Sequence, residues 1–168
     1  MFSTVTQNPE ATKQVGKNLG QNLFPGSIVA LTGELGSGKT TLVQGIGEGL
    51  RIKSLIKSPS FVIINEYDGP LPLYHFDLYR LNNAEEILSL GYEEYFYEKR
   101  GVVVIEWAKK IKDFLPKEYL EINLKIVNPV RKSFFNGVNL SKRKISGQAY
   151  GASYREVIKK MEKLFCSC

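Results

Sequence analysis

The stretch Gly33-Glu34-Leu35-Gly36-Ser37-Gly38-Lys39-Thr40 fits the spacing G-x-x-x-x-G-K-[S/T] without a gap or a substitution. Its glycines let the backbone wrap with φ > 0, so that successive N–H groups converge on phosphate oxygens. The lysine supplies a point charge for the outer phosphates and the next hydroxyl, that of Thr40, is placed to hold Mg²⁺. Such a loop needs a buried strand before it and a helix after it. Ser27 to Leu31 is a short apolar run introduced by Pro25-Gly26, and Thr41 to Leu50 carries apolar residues at helical spacing. The stretch therefore reads as a phosphate-binding loop joining a strand to a helix.

At 168 residues, with 43% hydrophobic and 24% charged side chains, the chain has the composition of one globular domain. No apolar run approaches the length of a membrane span, and the N-terminus has neither the basic nor the apolar region of a signal peptide, so a cytoplasmic location is expected. Cys166 and Cys168 stand at the extreme C-terminus, with one histidine in the chain to join them in a metal site, and read as structurally idle. The net charge of +6 is uneven: residues 1 to 128 carry 14 Lys and Arg against 15 Asp and Glu, and residues 129 to 168 carry 9 against 2. All of the excess sits in a basic C-terminal segment. That is the pattern of a nucleic-acid or acidic-partner footprint and equally of a solvated charged face.

Along the chain, Asn8-Pro9-Glu10 starts a helix expected to reach about Leu23, with Gly16 and Gly20 one turn apart, read as a surface helix covering the sheet. Ser58-Pro59 forces an extended connector. Val62 to Tyr67 and Leu71 to Phe76, joined through Asp68-Gly69-Pro70, predict an antiparallel hairpin. Asn82 to Leu88 predicts a capped helix. The run Val102-Val103-Val104-Ile105, ending abruptly in Glu106, is the strongest buried-strand signal in the chain. In phosphate-loop enzymes a strand beside the loop ends in an acid that reaches Mg²⁺, which makes Glu106 the metal-ligand candidate with Thr40. Asp77 closes another strand and is a candidate for Mg²⁺ or for orienting water. His75 reads as structural. Trp107 reads as packing, with stacking on a base as the alternative. Tyr119 to Ile126 predicts a strand, Arg143 to Tyr150 a last one, and Tyr154 to Phe165 a basic amphipathic helix.

With these motifs in hand, the chain resembles the TsaE (YjeE) family of tRNA threonylcarbamoyladenosine biosynthesis. The resemblance runs over about residues 5 to 127. It rests on Gly33 to Thr41, on Ser58-Pro59-Ser60-Phe61 with Asn65-Glu66-Tyr67, on His75-Phe76-Asp77-Leu78-Tyr79-Arg80-Leu81, and on Val104-Ile105-Glu106-Trp107. It implies an α/β P-loop NTPase fold, three-layered, with a mixed central sheet that includes the antiparallel hairpin. It implies ATP as substrate with Mg²⁺, weak ATPase activity alone, and partnership with TsaD and TsaB in the complex that modifies adenosine beside the anticodon of ANN-decoding tRNAs.

Carried onto this sequence, the backbone of Leu35, Gly36, Ser37, Gly38, Lys39, Thr40 and Thr41 would cradle phosphates. Lys39 would neutralise them, Thr40 and Glu106 would hold Mg²⁺, and Asp77 would orient or activate water. Ser58 and Ser60 would belong to a nucleotide-sensing switch, Ser60 standing where the family usually has threonine. Two other uses of the loop remain in the sequence: a small-molecule or nucleoside kinase, and a GTPase-like switch, although no N-K-x-D guanine element is present. Contact with tRNA, indirect or through the basic tail, is a further expectation.

Overall fold

The computed structural model of the chain describes residues 1–57, 62–127 and 142–165. Strands β1 (Phe2–Thr6), β2 (Ile28–Gly33), β3 (Ile64–Tyr67), β4 (Leu73–Asp77), β5 (Val102–Glu106), β6 (Tyr119–Val127) and β7 (Lys142–Tyr150) form one sheet in the order β1-β7-β6-β2-β5-β4-β3. The four central strands, β6-β2-β5-β4, run parallel. The outer pairings β3–β4, β6–β7 and β7–β1 are antiparallel, so the sheet is mixed and carries the expected hairpin. β5 is buried at every position, as its unbroken apolar run predicts for a strand covered on both faces.

Three α-helices lie on one face: α1 (Pro9–Gly20), α2 (Lys39–Gly49) and α3 (Ala152–Phe165). Val15 and Leu19 of α1, Leu42, Val43 and Ile46 of α2, and Val157, Ile158 and Met161 of α3 share a core with Val29, Leu31, Val104, Leu120, Ile122 and Ile145 of the sheet. The opposite face is covered by shorter pieces. Ala84–Leu90 and Ala108–Phe114 are 3₁₀ segments and Glu94–Glu98 is one π turn, and their Ile87, Phe96 and Ile111 pack on Ala30, Phe76, Val103 and Ile105. The layer opposite the α-helices is therefore made of tight turns. The helix expected at Asn82 to Leu88 is a 3₁₀ segment, although its capping box forms as the sequence implies: Asn83 Oδ1 accepts from Glu86 N at 3.1 Å and Glu86 Oε1 accepts from Asn83 N at 3.3 Å.

The N-terminal helix differs from its expectation in two ways. It ends at Gly20, where the Gln21 N–H closes the last turn, rather than near Leu23. It also packs chiefly on α2, rather than lying as a separate cover on the sheet. Gly16 and Gly20 face the Leu42 and Ile46 carbonyls, while Gly45 and Gly49 of α2 face those of Lys13 and Lys17. A β-carbon at any of the four would collide with the other helix's backbone, so the glycine spacing records a close helix–helix crossing.

β1 has no counterpart in the sequence reading. Its Phe2 is buried beside Gly147 of β7, where glycine leaves room for the ring. The basic C-terminal segment is, in its described part, no appendage. β7 joins the sheet, and the Tyr154 hydroxyl accepts a hydrogen bond from the Ile28 N–H at 2.7 Å, tying α3 to the start of β2.

Candidate functional site

β2 delivers the chain to Gly33 at the carboxyl edge of the parallel strands, and the turn to α2 uses positive φ at Gly33 (144°), Gly36 (75°) and Gly38 (100°). These are the positions the G-x-x-G-x-G spacing reserves for glycine. At Gly33 a side chain would also strike the Leu124 carbonyl of β6. Ser37 is fully buried under the loop, and its Oγ is one of two buried side-chain polar atoms, among the described residues, without a hydrogen-bond partner. A loop whose N–H groups converge and whose hydroxyl awaits an acceptor fits an anion.

Lys39 opens α2 and is 4% exposed. Its Nζ donates to the carbonyls of Gly33 (3.1 Å) and Glu34 (2.9 Å) and sits 3.7 Å from the centre of the Trp107 ring. Burial pulls the Lys39 amine below its ordinary range, against the opposing pull of Glu106, Asp77 and Glu34. The next residue, Thr40, donates its hydroxyl to Glu106 Oε2 at 3.2 Å. Glu106, 2% exposed, meets His75 Nε2 through its other oxygen at 2.9 Å.

Strand pairing explains this constellation. β4 and β5 are parallel and place Asp77 directly opposite Glu106, while β2 and β5 place Leu31 opposite Glu106. Both carboxylates thus emerge at the edge where the loop begins, the usual ligand position in an open parallel sheet. Asp77 Oδ1 accepts from the Tyr79 N–H at 3.1 Å, which shapes the exit from β4. Trp107, immediately after β5, takes a left-handed conformation (φ 63°) unusual for a bulky residue, and its ring packs 5.0 Å from that of Tyr79.

A cleft of about 570 Å³ opens over the loop. Of the sequence candidates, Leu35, Gly36, Gly38, Lys39, Thr40, Thr41, Asp77, Glu106 and Trp107 line it, and Ser37 lies beneath. Ser58 and Ser60, the switch candidates, fall outside the described residues. Cys166 and Cys168 do as well. His75 is structural as expected, but its partner is Glu106, so it fixes a site carboxylate. The signal lay in the register: His75 pairs with Val104 and is the diagonal neighbour of Glu106 two residues on. Tyr79, Arg80 and Arg143 also line the cleft. The first two stood within a quoted motif without a role. Arg143 is more than a hundred residues from the loop in sequence and is brought to it by β7, a placement no local pattern announces.

The oxygen donors of Thr40 and Glu106 suit a hard cation such as Mg²⁺, which takes few protein ligands and fills its remaining positions with phosphate oxygens and water.

The family described as Threonylcarbamoyl adenosine biosynthesis protein TsaE matches residues 6–133. The chain is 47% identical over 121 residues to the tRNA threonylcarbamoyladenosine biosynthesis protein TsaE of Bacillus subtilis, covering 71% of this chain and 75% of that one. With the protein of the same name from Treponema pallidum the identity is 38% over 123 residues, 73% of this chain and 90% of the relative. The crystal structure of Bacillus subtilis YdiB superposes with a TM-score of 0.77 at 36% identity, covering 97% of this chain and 95% of that chain. By sequence over most of its length, and by a shared fold over nearly all of it, this chain belongs to the TsaE family of tRNA threonylcarbamoyladenosine biosynthesis.

Proposed function

We propose that the chain is a P-loop ATPase that binds ATP with Mg²⁺ and hydrolyses it in support of the complex that adds threonylcarbamoyl to adenosine next to the anticodon of ANN-decoding tRNAs. The observation that carries the reading is the convergence of Lys39, Thr40, Asp77 and Glu106 on one cleft around a glycine loop at the carboxyl edge of parallel strands. In this reading the backbone from Leu35 to Thr41 cradles the phosphates, and Ser37 Oγ gains the acceptor it lacks. Lys39 exchanges its two carbonyl partners for phosphate oxygens, which relieves the cost of burying an amine whose partners are neutral. Thr40 and Glu106 would hold Mg²⁺, which when bound draws off negative charge from the phosphates. His75 keeps Glu106 in place. Asp77, opposite Glu106 and at the cleft, orients the attacking water, and Trp107 with Tyr79 walls that end of the cleft from solvent.

The reading assigns TsaD and TsaB as partners and the cytoplasm as location; among the described residues, no helix is long and apolar enough to cross a membrane. Slow phosphate release from ATP by the purified chain, altered on addition of TsaD and TsaB, is the expected result. Transfer of phosphate to an added nucleoside or other small acceptor instead of water would replace this reading with that of a kinase. Preference for GTP over ATP in competitive binding would replace it with that of a GTPase-like switch.

A further inference from the structure

Arg143 lies ten residues beyond the end of the family match at residue 133, yet it lines the same cleft as Lys39 and is itself 6% exposed. It is the second residue of β7, and its backbone is held there from two sides. Ile126 of β6 and Thr6 of β1 are its register partners, and Thr6 Oγ1, which shares a 2.8 Å hydrogen bond with Thr12 Oγ1, reaches the Arg143 carbonyl at 3.5 Å. The side chain runs to the loop: a β-carbon added at Gly38 would stand 3.7 Å from Arg143 Nε. Gly38 is the N-cap of α2, where the free N–H groups and the helix dipole present positive charge. A guanidinium buried beside that helix start, with the Lys39 amine in the same cleft, concentrates positive charge that an anion in the loop would neutralise.

Sheet order fixes which part of a nucleotide Arg143 meets. β2 leads into the loop; β5 and β4, with Glu106 and Asp77, lie on one side of it, and β6 and β7, with Arg143, lie on the other. Lys39 Nζ rests over Trp107, towards the acidic side. A polyphosphate lying across the loop therefore has its reacting end between Lys39, Asp77 and Glu106 and its inner end on the Arg143 side. Resting on the ATP-binding reading above, we propose that Arg143 is a nucleotide-binding residue that grips the α-phosphate, a second cation supplied by the last strand rather than by the loop.

The test uses the full chain with Arg143→Gln and Arg143→Lys, each checked by thermal melting and assayed below its own transition. Arg143→Gln is expected to weaken ATP and ADP by equal factors, about tenfold to a hundredfold, as suits loss of one charge-assisted contact. Arg143→Lys is expected to recover part of that loss. In phosphorus NMR of bound ADP, the α resonance is expected to move in Arg143→Gln while the β resonance stays near its wild-type position, which a merely structural role would not produce. Affinities within twofold of wild type in both variants would overturn the inference, as would a loss confined to ATP or a shift confined to the β phosphorus. A wild-type chain that binds neither ATP nor ADP would instead sink the functional reading on which it rests.

Discussion

Gly45→Ala sets two physical effects against each other, and their magnitudes decide the sign. Alanine is a better helix former than glycine by about 1 kcal/mol, so in an isolated helix the change stabilises. In this fold the new β-carbon would overlap the Lys13 carbonyl oxygen and lie 2.8 Å from its carbon and 2.9 Å from Lys17 N, all backbone atoms of α1. Backbone cannot rotate aside as a side chain can, so α1 and α2 must part by several tenths of an ångström or more. Overpacking of this kind costs about 1–3 kcal/mol, and the rigid neighbours put Gly45 at the upper end. The net is a destabilisation of about 2 kcal/mol, which in a domain of this size lowers the melting temperature by about 4–8 °C. Gly47→Ala is the control, two residues along the same helix. Its β-carbon meets the Ile56 side chain, whose tip can swing away, so the propensity gain offsets most of the clash and the melting point stays close to wild type. Thermal unfolding by circular dichroism reads both. A Gly45→Ala protein that melts at or above the wild-type temperature would refute the close crossing, because propensity would then have met no opposition.

Lys39→Met is expected to abolish tight nucleotide binding and yet raise the melting temperature of the nucleotide-free protein, because burial holds the folded-state amine below its ordinary value of 10.5. The sign follows from proton linkage: the unfolded chain binds the proton more tightly, so wild-type stability relative to Lys39→Met grows as pH rises through the folded value and levels off above 10.5, measurable by denaturant titration across alkaline pH. Glu106→Gln is expected to raise the Mg²⁺ concentration needed for half-maximal turnover and to lower turnover by at least about tenfold, with normal hydrolysis excluding Glu106 from the metal site. Tyr154→Phe removes the acceptor of the buried Ile28 N–H and is expected to cost about 1–3 kcal/mol in urea unfolding, without loss of nucleotide affinity.

The sequence exposes the site's parallel side well, because each piece there carries a local signature. Loop glycines must occupy positive φ, a four-residue β-branched run must be a covered strand, and an acid ending such a run must emerge at the sheet edge. The bonds between those pieces were less legible, since they depend on register. His75 is two residues from Asp77 on β4, and only the pairing of β4 with β5 shows that its ring reaches Glu106. The glycines of α1 and α2 gave a weak signal for the opposite reason. Each helix alone reads as a poor one, and the spacing becomes informative once Gly16 and Gly20 are seen to face Leu42 and Ile46. β1 and the turn layer escaped because a five-residue strand and single 3₁₀ or π turns are held by tertiary contacts more than by their own periodicity.

The antiparallel side of the sheet explains why a chain with a complete loop motif still needs its last forty residues. α2 begins with the loop's lysine and threonine, and the glycine crossing leaves it little freedom relative to α1. α1 follows β1 after a short turn in which Asn8 caps the helix, with Ala11 N donating to its side chain at 2.7 Å. β1 hydrogen-bonds only to β7, which pairs in turn with β6, beside β2. The helix that carries Lys39 and the strand that carries Arg143 are thus braced through one circuit, closed where Thr6 Oγ1 meets both Thr12 and the Arg143 carbonyl. Loss of β7 would remove a cation from the cleft and, with it, the only strand partner of β1. The C-terminal segment, whose sequence reads as a basic tail with no motif of its own, therefore bears on the geometry of the loop from which the fold was first read.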